Sequence, residues 1–176
     1  MMTFILMMIL SVPMNPGIIF DFNKDSDLRN WFVVDDVVMG GRSSGSFELS
    51  PDGHGVFKGN VSLENNGGFS SIRYRFRRTS VKAFTSVVLK VKGDKKKYQF
   101  RIKSKSSDYY SYTTTFTTNG DWQDIQIPLE SMVPSFRGRR LNRPNFSHDS
   151  IEEIAFLIGN KNEESFQLLL DKIELR

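Results

Sequence analysis

From Gly17 onward, apolar and polar residues alternate along the chain with a period of two, the signature of half-buried strands. In "FSSIRYRFRR" (69–78), Ile72, Tyr74 and Phe76 point one way while Arg73, Arg75 and Arg77 point the other. Val87, Leu89 and Val91 oppose Lys90 and Lys92 in the same manner, and Tyr98, Phe100 and Ile102 oppose Arg101 and Lys103. Further strands are predicted at 17–22, 31–36, 45–50, 56–63, 109–118, 122–128, 152–160 and 165–175. Turn residues separate them: "PDGHG" at 51–55 joins a φ-fixing proline to a glycine, and "GDKKK", "SKSSD" and "NGD" make the later corners. "NKDSDLRN" is expected to form one helical turn capped by Asp25 or Ser26, and 129–150 a looped, partly helical stretch. The pattern predicts an all-β domain of about ten strands, a sandwich or a barrel, over 17–176.

A chain of 176 residues buries enough surface to hold a core without staples. Zero cysteines exclude a disulfide framework, a thiolate nucleophile and any cysteine-ligated metal. Residues 1–16 are an apolar extension or a weak signal-like segment. They are too short to span a bilayer comfortably and have no basic residue before the apolar run. The expected location is cytoplasmic, with membrane association and export both left open.

Charge is unevenly spread. Residues 73–105 hold thirteen of the 24 basic residues and one acid, Asp94, so the segment carries +12 and the remainder −8. Three consecutive strands are expected to turn one cationic face outward, built from Arg75, Arg77, Lys90, Lys92, Arg101 and Lys103. Such a face is either a solvated outer sheet or a dock for an acidic protein, an anionic lipid surface or nucleic acid. Nucleic acid is not expected as a partner, because exposed aromatics do not clearly interleave with the charges.

Catalytic chemistry finds no support in the pattern. "GGRSSG" at 40–45 lacks the spacing of a phosphate loop and leads into a strand rather than a helix. "DFNKDSD" has alternating acids but Ser26 where a calcium loop needs glycine, and Phe32 where it needs glutamate. His54 and His148 read as turn and cap residues, so no catalytic residue, metal site or cofactor is expected. Tyr110, Tyr112 and Phe116 share a strand face that reads as core first and as a sugar platform second.

Two Gly-Gly corners stand out: "DDVVMGGRSSG" at 35–45 and "SLENNGGFSSIR" at 62–73. Together with "WFVVDDVVMGGRS", "KGDKKKYQFRI", "W…IQIP" and "PSFRGR", they resemble the complex I intermediate-associated protein 30 family, and the resemblance runs from Gly17 to Leu175. It implies a galactose-binding-domain-like jelly-roll sandwich and a non-enzymatic role, since mitochondrial members help assemble respiratory complex I. With no arginine-rich amphipathic presequence, a bacterial setting is expected.

The glycines are expected to supply positive φ or close backbone approach. Their polar neighbours are candidates for gripping a protein partner, such as a membrane-complex subunit or assembly intermediate, or else a carbohydrate. The candidate set on the first corner is Asp36, Met39, Gly40, Gly41, Arg42 and Ser43. On the second it is Glu64, Asn65, Asn66, Gly67, Gly68, Phe69, Ser71 and Arg73, with Arg137 and Gly138 completing one rim.

Overall fold

Val87, Leu89 and Val91 are buried and the intervening Lys90 is exposed, and the described residues form thirteen strands. The computed structural model describes residues 17–176. The expectations for 1–16 lie outside the described residues.

Two antiparallel sheets stack face to face. One is six-stranded: β3 (Ser44–Leu49), β4 (Gly55–Val61), β13 (Glu164–Leu175), β6 (Ser86–Gly93) and β9 (Trp122–Pro128), with β1 (Gly17–Asp21) also paired to β13. The other is seven-stranded, in the order β11 (Arg139–Arg140), β10 (Val133–Phe136), β8 (Ser111–Thr117), β7 (Lys97–Lys103), β12 (Ser150–Ile158), β5 (Ser70–Ser80) and β2 (Trp31–Asp35). Most connections between consecutive strands cross between the layers, giving a jelly-roll sandwich.

The inner faces supply the core. Phe100 and Phe156 lie opposite each other in register, with ring centroids 5.4 Å apart. Phe57, Leu89, Leu168 and Leu170 of the six-stranded sheet join the same buried cluster. Trp31 stacks on Tyr74 at 4.8 Å, and Phe20, Phe22 and Phe47 close that end. Tyr112 and Phe116 are buried in the core, as the period-two reading had it.

Three expectations are corrected. The helical turn at 23–30 is instead a pair of tight turns, in which Ser26 Oγ accepts the Asn23 amide hydrogen at 2.8 Å and Asn23 Oδ1 accepts that of Asp25 at 2.9 Å. The stretch 129–150 contributes a single 3-10 turn at Leu129–Ser131 and two short strands, β10 and β11.

The third correction concerns the basic face. Arg73, Arg75, Arg77, Arg101 and Lys103 lie on β5 and β7 of the seven-stranded sheet, whereas Lys90 and Lys92 lie on β6 of the other. The single cationic face is therefore split between opposite sides of the sandwich. Alternation fixes a side chain's direction relative to its own sheet and is silent on which sheet the strand joins.

Candidate functional site

Asp36 is where the two Gly-Gly corners meet. β2 ends at Asp35, and the chain turns through a 3-10 segment, Asp36–Met39, closed by Gly40 at φ 89°. The Asp36 side chain turns inward and is inaccessible to solvent. Its Oδ1 accepts the Ser43 amide hydrogen at 2.9 Å. Oδ2 accepts those of Gly68 at 2.6 Å and Phe69 at 3.2 Å, and the Ser43 hydroxyl at 2.5 Å. Burial raises its carboxyl, but the Ser43 and Gly68 hydrogen bonds outweigh that, so the carboxyl sits below the ordinary aspartate value. Asp35 makes a parallel staple: Oδ2 accepts the Gly45 amide at 2.9 Å and Oδ1 the Ser70 hydroxyl at 2.5 Å.

Each glycine pair divides its labour. Gly40 and Gly68 hold the positive φ, 89° and 130°. Gly41 and Gly67 leave room for the carboxylate: a Cβ on Gly41 would overlap Asp36, and one on Gly67 would stand 2.5 Å from Asp36 Oδ2. Asp36, Gly41, Ser43 and Gly67 thus form the internal knot of the corners. Ser71 is also buried, its hydroxyl donating to the Val34 carbonyl at 2.7 Å. Asp36, Ser43 and Ser71 were expected on a recognition surface, and their burial removes them from it.

What the knot leaves outside is different. Met39 is 55% exposed. Arg42 pairs with Glu64 at 2.9 Å across the two corners, beside exposed Asn65 and Asn66. Phe69 is half-buried and faces a groove of about 420 Å³ on the outer side of the seven-stranded sheet.

That groove gathers about half of the remaining candidates. Arg73, Arg101 and Lys103 line it, together with Met39, Gly68 and Phe69 from the corners, and Arg137 and Gly138 from the turn after β10. Arg137 reaches that turn in the left-handed region at φ 49°, followed by Gly138 at 74°. Besides Phe69, the aromatic members are Phe136, 37% exposed, and Tyr109, 57% exposed, and the rings of these last two meet edge to face at 5.2 Å. Arg42, Glu64, Asn65 and Asn66 do not line it, and neither do Arg75 and Arg77.

The cations of this face have few acids. Arg75 Nε donates to Glu153 Oε2 at 2.8 Å, and Arg73 Nη1 lies 3.6 Å from Oε1 of the same buried carboxylate. Arg101 Nη2 donates to the Gln99 side-chain carbonyl at 2.7 Å, and Lys103 Nζ to the Asp108 backbone carbonyl at 2.7 Å. Burial, followed by the like charge of Arg73, brings Arg101 down to about 10, where it remains a cation at neutral pH. Burial also lowers the Lys103 ammonium; Glu153 opposes this, while Arg73 and Arg75 add to it.

Sequence reasoning missed Tyr109, Ser111 and Leu157, all of which line the groove. The signal existed for two of them: if Tyr110 and Tyr112 face inward, Tyr109 and Ser111 must face out. The histidines are engaged elsewhere. His54 Nδ1 lies 3.1 Å from Asp171 Oδ1, and His148 Nε2 is 2.8 Å from the Tyr112 hydroxyl. Among the described residues no cluster of three His, Cys, Asp or Glu groups could hold a metal, and no helix is long and apolar enough to cross a membrane.

Comparison with known proteins agrees with this architecture. The family model described as Complex I intermediate-associated protein 30 matches residues 20–170. The mitochondrial protein of that name from Drosophila melanogaster is 28% identical over 74% of this chain and 52% of its own length. The Mus musculus counterpart is 26% identical over 89% of this chain and 55% of its own. The chain therefore spans about half the length of the curated relatives it matches. These animal relatives lend no support to a bacterial setting. Among solved structures, the family 11 carbohydrate-binding module of a Clostridium thermocellum cellulosomal cellulase superposes with a TM-score of 0.69. It is 18% identical and covers 92% of this chain and 94% of its own. An exo-β-agarase superposes at 0.59 with 11% identity over 91% of this chain and 25% of its own. At such identities these structures bear on fold alone.

Proposed function

The chain belongs to the complex I intermediate-associated protein 30 family, and from that premise we propose that it is a non-catalytic binding module for protein components of a respiratory membrane complex under assembly. The observation that carries the reading is the groove on the seven-stranded sheet, where both Gly-Gly corners and the Phe136–Gly138 turn converge on an exposed rim. Rigid strands hold this surface, and two carboxylate knots fix its corners, so little ordering is lost on binding. No histidine or carboxylate is among the residues that line the groove, and its charged members suit gripping rather than turnover. The mitochondrial relatives suggest work beside the respiratory membrane.

The test is affinity purification from the native host at about 50 and about 500 mM salt, with mass-spectrometric identification, because screening separates charge-driven from apolar capture. Enrichment of complex I subunits at low salt is expected. Absence of any such subunit under both conditions overturns the reading.

A second reading is carbohydrate binding. It is favoured by the exposed Tyr109 ring in the groove and by the fold shared with the family 11 module, a copy of which has been solved with a β-1,3-1,4-mixed-linked tetrasaccharide. A thermal shift with mixed-linked glucan oligosaccharides would support it, and a silent glycan array would dispose of it.

A further inference from the structure

The strand registers arrange the outer cations of the seven-stranded sheet in two rows. One runs Arg73–Ala155–Arg101 and the next Arg75–Glu153–Lys103, crossing β5, β12 and β7. The two rows hold four cations and one carboxylate, Glu153, which already takes its short hydrogen bond from Arg75. Among the described residues Arg101 and Lys103 make no ion pair; their partners are a neutral amide and a backbone carbonyl. Lys103 is only 9% exposed. Taking charge out of water without an opposite charge is costly, so this cluster has an unmet demand for an anion.

The groove opens onto these rows, lined by Arg73 and Arg101 of the first and Lys103 of the second. Ala155 separates Arg73 from Arg101 with no more than a methyl group. Arg73 Nε is sealed from water without a hydrogen-bond partner. The depressed ammonium of Lys103, due first to burial, has the sign expected of a cation whose counter-charges, Glu153 and Asp108, fall short of offsetting its desolvation. Around this floor stand Tyr109, Phe136 and Met39, all exposed, so a fitting ligand carries apolar groups beside its charge. From β10 to β2 the groove's strands cover five spacings, about 24 Å, close to the length of seven extended residues.

We propose that the groove binds an extended acidic segment of a partner protein, its carboxylate seated between Arg73 and Arg101 beside Lys103 and its apolar side chains against Tyr109 and Phe136. The inference rests on the protein-binding reading above and gives it a ligand chemistry. A neutral glycan would leave the cations uncompensated. An acidic polysaccharide would satisfy them, and the test separates it from a peptide.

The experiment measures fluorescence anisotropy of a fluorescein-labelled heptapeptide alternating glutamate with leucine and phenylalanine. Its glutamine counterpart, an oligogalacturonate and inorganic phosphate serve as comparators. The glutamate peptide is expected to bind about tenfold or more tightly than the glutamine peptide, the factor that one good charged contact confers. Arg101→Gln and Lys103→Met should each weaken it about as much, and Lys92→Gln, on the other sheet, should not. Equal binding of the two peptides, or tighter binding of oligogalacturonate or phosphate than of the glutamate peptide, overturns the proposal. Should Arg101→Gln fail to fold, the two-peptide comparison on the native protein still decides. Subunit capture that survives the Arg101→Gln, Lys103→Met double variant sinks the anion seat while sparing the broader reading; loss of capture by the native protein sinks the broader reading itself.

Discussion

Asp36 Oδ2 accepts the amide hydrogen of Gly68 at 2.6 Å, joining positions 32 residues apart in the chain. This one bond converts two separate loops into a single corner, and the carboxylate that makes it is inaccessible to solvent.

Removing that carboxylate's charge should be expensive. Asp36→Asn keeps the shape but turns an –NH2 group toward amide donors, leaving buried groups unsatisfied. A loss of about 2–4 kcal/mol is expected, read from the urea midpoint at constant m-value.

The same residue gives a pH signature. Its folded carboxyl lies below the ordinary 3.8, so the stability it contributes is full above that value and is lost as pH falls through the folded one. Thermal melts of the native protein between about pH 5 and pH 2 should contain a component that Asp36→Asn lacks. Parallel pH profiles for the two proteins would contradict the carboxylate's role.

Glycines of one pair should respond unequally. At Gly40 only the dihedral opposes a side chain, so Gly40→Ala should cost about 1 kcal/mol. At Gly41 the three nearest atoms to an added Cβ all belong to Asp36, and Gly41→Ala should cost more. In a double-mutant cycle, Asp36→Ala should relieve part of that penalty, so the combined loss falls short of the sum by about 1 kcal/mol.

Binding and stability should part company in the groove. Lys103→Met removes an under-compensated buried cation while keeping the side chain's length, so the melting temperature should hold or rise even as ligand affinity falls. A large drop in melting temperature would mean that the hydrogen bond to the Asp108 carbonyl matters more than the charge.

The division of cations between two outer faces makes a further contrast testable. Arg73→Glu should abolish capture of complex I subunits, and Lys92→Glu, on the opposite sheet, should leave it intact. Equal loss from both substitutions would argue for diffuse charge attraction rather than a seat.

Strands were legible wherever alternation was strong: Ile72, Tyr74 and Phe76 declared their side without ambiguity. Val133–Phe136 was not, because four residues containing Pro134 give too short a pattern to tell strand from loop. Layer membership escaped for a deeper reason. Lys90 and Arg101 obey the same local rule, yet the chain crosses between sheets from β6 to β7, and only long-range pairing decides which neighbours each acquires. Asp36 was misjudged because a polar residue beside paired glycines looks like a surface tip. The clue was the tight set of small residues, Gly41, Ser43 and Gly67, which crowd no one and so invite a side chain inward.

Strand β13 pairs with β1, β4 and β6, so it is the spine of the six-stranded sheet and also the latest of its strands in chain order. On the ribosome, β1, β3, β4, β6 and β9 must therefore wait, with apolar faces uncovered, until residues 164–175 emerge. The nascent chain thus has an interval of exposure that a holding chaperone could guard, and a stall or frameshift upstream of Glu164 would release an unfinished sheet for the proteases to clear.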